Sequence, residues 1–398
     1  MTLAWRLAMA GWQALREELV TQVRAHGISG GVTEAFRAVP RHVFLPDLPL
    51  ETVYRDDAIV TKRDADGRPI SSSSQPAIMA LMLDQLGVEP GQRVLEIGTG
   101  TGYNAALLAH LVGPGGQVVS VDIDADLVER AREHLIDAGH PEVTVVCGDG
   151  AEGFAPAAPY DRVIATVGVW DLSPAWLDQL GPEGRVVAPL DVRGVQRSVA
   201  MERAGGHWTS RSVVPCGFMR MRGPFAGPET TLMLDRASDL AISLPGAGEI
   251  GDVLAALEGP SVEMPTGVSA SRAQLHDGLS LWLAMHEPRW CMMSEAQPRW
   301  LASPPLDLSG FTMAAGIIDG DSLCLLEPEP DDMLIARGHG PERTRLATDL
   351  VGHVNAWDGA GRPMTAGLRI DAYLETAPPE GLLIHKRHTT LALSWNPD

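Results

Sequence analysis

The segment Val94-Leu95-Glu96-Ile97-Gly98-Thr99-Gly100-Thr101-Gly102-Tyr103 constrains this chain more than any other. A mainly apolar run enters three glycines at alternate positions, and a helix-forming stretch follows. A buried strand that ends in such a turn and opens a helix lets backbone amides approach a nucleotide-type ligand closely. The surroundings keep the same rhythm. Helices are predicted over Pro76–Leu86, Tyr103–Val112, Asp126–Ala138 and Pro174–Leu180, with strands over Arg93–Ile97, Val118–Val121, Val143–Cys147, Arg162–Thr166 and Arg185–Ala188. Alternation at this spacing implies parallel pairing, right-handed crossovers and an α/β, Rossmann-like doubly wound sheet. Gln196–Arg203 and His207–Val214 predict a hairpin that closes the edge of that sheet.

Carboxylates stand where a ligand would need them. Asp122 ends the second strand, 20 residues after Gly102, where an acid can accept both hydroxyls of a ribose. Gly148-Asp149-Gly150 ends the third strand along the same edge. The bland alternative is that these acids are turn residues and the glycines only close a bend. Glu96, directly before the glycines, would repel a pyrophosphate, so a dehydrogenase is disfavoured. It suits the cationic methionine end of S-adenosylmethionine.

The 398 residues carry a formal charge of -20. That sign repels nucleic-acid backbones and favours a small-molecule or peptide partner. No stretch reaches the ~20 apolar residues of a membrane span, and the first residues lack a basic leader, so no membrane partner and a cytoplasmic location are expected. Cys147, Cys216, Cys291 and Cys324 are too far apart for a zinc site and read as core thiols; His339, His385 and His388 lack carboxylates at ligand spacing, so no metal is expected. Trp282, Trp290, Trp300, Trp357 and Trp395 read as core or interface residues, and Asp331-Asp332 as a solvated turn. The lysines number only two, Lys62 and Lys386.

Before the alternating region, Leu15, Leu19 and Val23 predict a helix ending at Gly27. Thr33 is expected to cap a second helix that Pro40 stops, and an irregular stretch runs to Ser74. After it, Gly223-Pro224 and Gly227-Pro228 suggest a boundary. Basic and acidic residues number 20 and 27 up to Gly223 but 11 and 24 beyond it. The expected division is therefore 1–223 for the ligand-binding domain and 224–398 for a smaller α+β domain. The latter is expected to contain helices around Leu275–Leu283 and Leu346–Val354, a hairpin about Asp319-Gly320-Asp321, and strands over Leu368–Leu374 and Thr389–Trp395.

Several segments resemble protein-L-isoaspartate (D-aspartate) O-methyltransferases. They are Ile70 to Ala80, with its run Ser71-Ser72-Ser73-Ser74-Gln75-Pro76; Arg93 to Ala106; Gly148-Asp149-Gly150; and the shorter Val39-Pro40-Arg41, Phe44-Leu45-Pro46, Tyr160-Asp161 and Gly184-Arg185. The resemblance covers about positions 35 to 190. It implies that Glu96, Gly98, Thr99, Gly100, Gly102, Asn104, Asp122, Ile123, Asp149 and Gly150 bind S-adenosylmethionine. It also implies that Ser74 supplies the active-site hydroxyl; four consecutive serines replace the family's usual Thr-Ile-Ser, so Ser73 competes for that role. For Ser74 the alternative role is capping the helix that begins at Pro76. The implied substrate is a protein or peptide bearing aspartate or isoaspartate, methylated by a monomeric enzyme. The added residues 224–398 favour a dedicated substrate, as in extended relatives that convert an aspartate of a ribosomally made peptide to aspartimide. General repair of isoaspartate and methylation of a small metabolite are the alternatives.

Overall fold

The structure, a computed structural model, describes residues 3–395 except 224, 229–230, 247–249, 298, 302–305, 309–310, 375–377 and 379. The chain begins with helices Leu3–Ala25 and Gly31–Ala38. Thr33 lies inside the second helix, its hydroxyl donating to the Gly30 carbonyl, so it is not the expected cap. Within the stretch read as irregular, β1 (Ile59–Arg63) and β2 (Pro69–Ser73) form an antiparallel hairpin. The Asp64 carboxylate closes its turn by accepting from the Asp66 and Arg68 amides, a local pattern too short to give a hydrophobic period.

The alternating region folds as expected. Strands β3 (Arg93–Ile97), β4 (Gln117–Asp122), β5 (Thr144–Cys147), β6 (Tyr160–Ala165) and β7 (Leu180–Val192) pair in parallel in the spatial order β5-β4-β3-β6-β7. The order reverses beside β3, which opens a crevice at the carboxyl ends of β3 and its neighbours. One face packs on helices Gly31–Ala38, Pro76–Leu86, Tyr103–Val112 and Ala125–Asp137, through residues such as Phe36, Met82, Leu107 and Leu135. The other face buries Trp176 and Leu177.

The sheet does not stop at the hairpin β8 (Val195–Ala204) and β9 (His207–Pro215). A second sheet intervenes, built from β10 (Thr231–Asp235), β11 (Leu240–Ser243), β12 (Ser261–Ser269), β13 (Trp290–Glu295), β14 (Leu306–Leu308), β15 (Phe311–Asp319), β16 (Ser322–Pro328) and β17 (Met333–His339). Helix Arg343–Gly359 covers it with Leu346, Leu350 and Val354. The chain then returns, and β18 (Leu368–Tyr373), β19 (Leu382–His385) and β20 (Thr390–Trp395) extend the first sheet beyond β9, in the order β9-β18-β20-β19. Two expectations are thereby corrected. The β8–β9 hairpin is internal, and the sheet crosses the boundary expected near Gly223, because Leu368, Ile370 and Ala372 alternate onto the face already covered by Trp176. The β15–β16 hairpin turns at Gly320-Asp321 as expected.

Leu368, Ile370, Ile384, Leu391 and Leu393 are buried in this shared core. Their burial contributes on the order of 10 kcal/mol, comparable to the whole stability of a domain. A chain ending at Gly223 is therefore expected to lose its cooperative thermal transition and aggregate. A sharp melt followed by circular dichroism in that truncated chain would show the three returning strands to be dispensable.

Candidate active site

The glycine turn leaves β3 with three left-handed residues, Gly98, Gly100 and Gly102, at φ 101°, 53° and 90°. At Gly98 a side chain would lie 2.9 Å from both Thr166 Oγ1 and Val167 Cγ1, so conformation and space both demand glycine. Above the turn opens a cleft. Ser71–Ser74, the turn Gly98–Thr101, Asp122-Ile123, Thr166-Val167 and the strap Phe218–Arg222 are among the residues that line it. Among the described residues none beyond Arg222 lines it.

Seven of the expected ligand residues meet there: Gly98, Thr99, Gly100, Asn104, Asp122, Ile123 and Gly150. Asp122 accepts from the Gly100 amide at 2.9 Å through one oxygen and from the Asp124 amide at 3.1 Å through the other. Ile123 is exposed at the rim. Gly102 starts the helix behind the turn and packs towards Ala131, and Asp149 caps the turn Gly150–Glu152 by accepting from the Ala151 amide; neither lines the cleft.

Glu96 is the main correction. It has no exposed surface and lies beneath the turn, where it accepts from Asn104 Nδ2 at 2.8 Å and from Ser120 Oγ at 2.5 Å. Ser120 Oγ in turn shares a hydrogen bond with Thr99 Oγ1 at 2.6 Å. Glu96 thus braces the loop rather than facing a ligand. Burial pushes its carboxyl up to about 7, against the opposing hydrogen bonds of Ser120 and Asn104.

The serine run separates its four members. All four line the cleft; Ser71 accepts from Thr61, Ser73 is buried and accepts from Arg41 Nη2 at 3.2 Å, and the hydroxyls of Ser72 and Ser74 have no hydrogen-bond partner among the described residues. Ser74 does not cap the following helix. Asp56 does, accepting from the Ala77 amide at 2.7 Å and from Gln75 Nε2 at 3.0 Å. Arg41, wholly buried, also donates to the carbonyls of Arg55 and Ser74, fixing the backbone that presents Ser74. Sequence reasoning assigned no role to Arg41 or Asp56; the one available signal was Val39-Pro40-Arg41 within the resembling segments.

A further group lies on the rim. Asp124 pairs with Arg222 at 2.5 Å and with Lys62 at 3.3 Å, so the β1–β2 hairpin and the strap Phe218–Arg222 share one carboxylate. The cysteines are unpaired, and no group of histidine, cysteine and carboxylate suited to a metal occurs among the described residues. Trp290 and Trp357 are fully buried, whereas Trp282 and Trp395 are partly exposed beside His286.

This fold and this crevice define a Rossmann-like, S-adenosylmethionine-dependent methyltransferase. The protein-L-isoaspartate(D-aspartate) O-methyltransferase profile matches residues 14–223, and the chain belongs to that family of carboxyl methyltransferases. It is 40% identical over 187 residues to a protein-L-isoaspartate O-methyltransferase of Thermotoga maritima, covering 47% of this chain and 58% of that protein. With the Methanopyrus kandleri protein of the same name it shares 37% over 221 residues, 54% of this chain and 95% of that one. A solved protein-L-isoaspartate O-methyltransferase superposes with a TM-score of 0.54 at 24% identity, over 96% of this chain and all of that one. The fold likeness therefore includes the second sheet and the returning strands.

The raised carboxyl of Glu96 makes stability depend on pH. The folded protein holds this proton up to about pH 7, while an unfolded glutamate releases it near 4.5. The contribution is present below pH 4.5 and lost as pH rises through 7, a change of about 3 kcal/mol. Relative to Glu96→Gln, the ligand-free protein should lose denaturant stability between pH 5 and pH 8. Parallel stability curves would show Glu96 to be ionised throughout.

Proposed function

We propose that this chain methylates the carboxylate of an isoaspartyl residue in proteins or peptides. The observation that carries the reading is the Ser74 hydroxyl, unpartnered and held at the cleft wall by the buried Arg41. S-adenosylmethionine, when bound, supplies an electrophilic methyl carbon. The residues present fit it: Asp122 retains lone pairs for ribose hydroxyls, Ile123 offers an apolar rim, and the three glycines let the turn approach closely.

A carboxylate acceptor is already ionised at neutral pH, its reference pKa being about 4, so no general base is needed. The chain's task is to orient one oxygen and exclude water. Ser74 can donate one hydrogen bond to the acceptor without adding charge. The resulting ester is open to attack by the following backbone nitrogen, which expels methanol and closes a succinimide; that step needs no enzyme group.

A genuine aspartate of a ribosomally made peptide, driven to aspartimide, is the narrower reading. Its support was the extra domain. A solved protein-L-isoaspartate O-methyltransferase shares the fold over 96% of this chain, so the extra domain does not by itself single out a dedicated peptide. Charge -20 supports a protein without nucleic-acid partners, and no helix among the described residues is long and apolar enough to cross a membrane. A monomer in the cytoplasm completes the reading.

Incubation with methyl-labelled S-adenosylmethionine and a matched pair of peptides, one isoaspartyl and one aspartyl, tests it. Base-labile label confined to the isoaspartyl peptide is expected. Label on the aspartyl peptide alone would favour the narrower reading, and base-stable label would end both. Ser74→Ala should lower kcat about ten-fold or more and leave cofactor affinity unchanged. Ser73→Ala should instead cost about 1 kcal/mol of stability by removing a partner of Arg41, with little effect on turnover. The reverse ranking would reassign the active hydroxyl. Asp122→Ala should weaken S-adenosylmethionine binding by about 2 kcal/mol in calorimetry; unchanged affinity would remove Asp122 from the site.

A further inference from the structure

The turn between β19 and β20 reaches the loop that follows β6. Asp171, with no exposed surface, accepts from the His388 amide at 2.7 Å and from Thr389 Oγ1 at 2.6 Å. Lys386, its side chain almost fully buried, donates to the carbonyl and carboxylate of Asp191 at 2.9 and 3.1 Å and lies over the Trp170 ring. His388 stacks on Phe225, and the turn at Gly227 comes so close to Trp170 that a side chain there would lie 2.4 Å from the ring. The C-terminal turn thus grips both Trp170 and Asp171.

From Asp171 the loop runs back into the cleft. Asp191 donates its amide to the Val169 carbonyl, Val169 donates to Pro189, and Gly168 exchanges amide bonds with Met219 and Met221 of the strap. Val167 and Thr166 line the cleft, and Thr166 Oγ1 donates to the Gly98 carbonyl at 2.6 Å. The side of the cleft follows from strand order. Asp122 stands on β4, on one flank of β3, and Thr166-Val167 follow β6 on the other. A ribose held at Asp122 leaves the β6 side for the methyl group and its acceptor.

We infer that Asp171 is a positioning residue through which the C-terminal turn Lys386–Thr389 sets the acceptor wall at Thr166-Val167. The inference rests on the functional reading above for its substrate. It gives the residues after Gly223 a part in the site without any of them touching the cofactor. Thr389 and Lys386 act from outside the cleft, so their loss should loosen acceptor binding more than chemistry.

Thr389→Val keeps the shape and removes the hydroxyl, Thr389→Ser keeps the hydroxyl, and Lys386→Met reaches the same loop through Asp191 and Trp170. For each, cofactor affinity by calorimetry, kcat and KM for an isoaspartyl peptide, and hydrogen exchange of the Gly168, Val169 and Gly98 amides are measured. In Thr389→Val and Lys386→Met, KM should rise about ten-fold with kcat and cofactor affinity little changed. Exchange at Gly168 and Val169 should quicken about ten-fold, with Gly98 unaffected. Thr389→Ser should behave as wild type. Unchanged exchange at Gly168 and Val169 overturns the inference, as does a KM that stays constant while their protection falls. Equal loss of protection at Gly98 also overturns it, since that marks general destabilisation. If the wild-type protein leaves the isoaspartyl peptide unmethylated, the functional reading fails separately, and the exchange comparison alone decides whether the turn holds the loop.

Discussion

A carboxylate with no exposed surface sits at the end of the central strand, and the cleft depends on how it is satisfied. Glu96 cannot stand there without partners, because burying an unpaired polar group costs several kcal/mol. Ser120 on β4 supplies one hydrogen bond and Asn104, in the first turn of the following helix, supplies another. Thr99 joins through Ser120. One buried acid therefore ties together the strand, its neighbour, the turn and the helix, and it does so beneath the glycines, leaving their upper surface to a ligand. The repulsion argument from the sequence reached the right class of cofactor by a route the structure corrects: Glu96 shapes the floor and does not line it.

Arg41 follows the same logic behind the serine run. A buried guanidinium needs several acceptors, and those within reach are the carbonyls of Arg55, Asp57 and Ser74 and the hydroxyl of Ser73. Meeting that need pulls two loops and the end of β2 together. It also engages the Ser73 hydroxyl, while that of Ser74, on the same cleft, has no partner among the described residues. Four identical residues in a row carry no information about which is which; a strand that alternates its faces and then ends at a helix start gives them different surroundings.

What the sequence revealed and what it hid divide by range. The parallel sheet, its helices and the glycine turn with Asp122 at the floor of the cleft were legible, because each strand, turn and helix start is written in a few consecutive residues and crossover rules fix their arrangement. Asp56 and Arg41 were hidden because their partners lie 14 to 33 positions away in a segment without hydrophobic period. Of the three returning strands, β18 and β20 were recognised as strands but placed in the second domain, and β19 was missed. Nothing local distinguishes β18 pairing with β9 from β18 pairing with its own domain; the choice is made by a hydrophobic face that the first 223 residues leave uncovered.

That face bears on what an extension of this kind is for. A recognition module that works independently needs only a linker and a small, polar interface. Here the returning strands are anchored by β18 pairing with β9, and the intervening domain by Arg197, which is fully buried on β8 and donates to Thr365 and to the carbonyls of His276 and Asp277. An open edge at β9 would itself be prone to pairing with other chains, and β18 covers it. The second half is therefore bound to the first by the same forces that hold the sheet together. Among the described residues, the loop after β6, gripped at Trp170 and Asp171, is one place where that half reaches the carboxyl edge of the sheet.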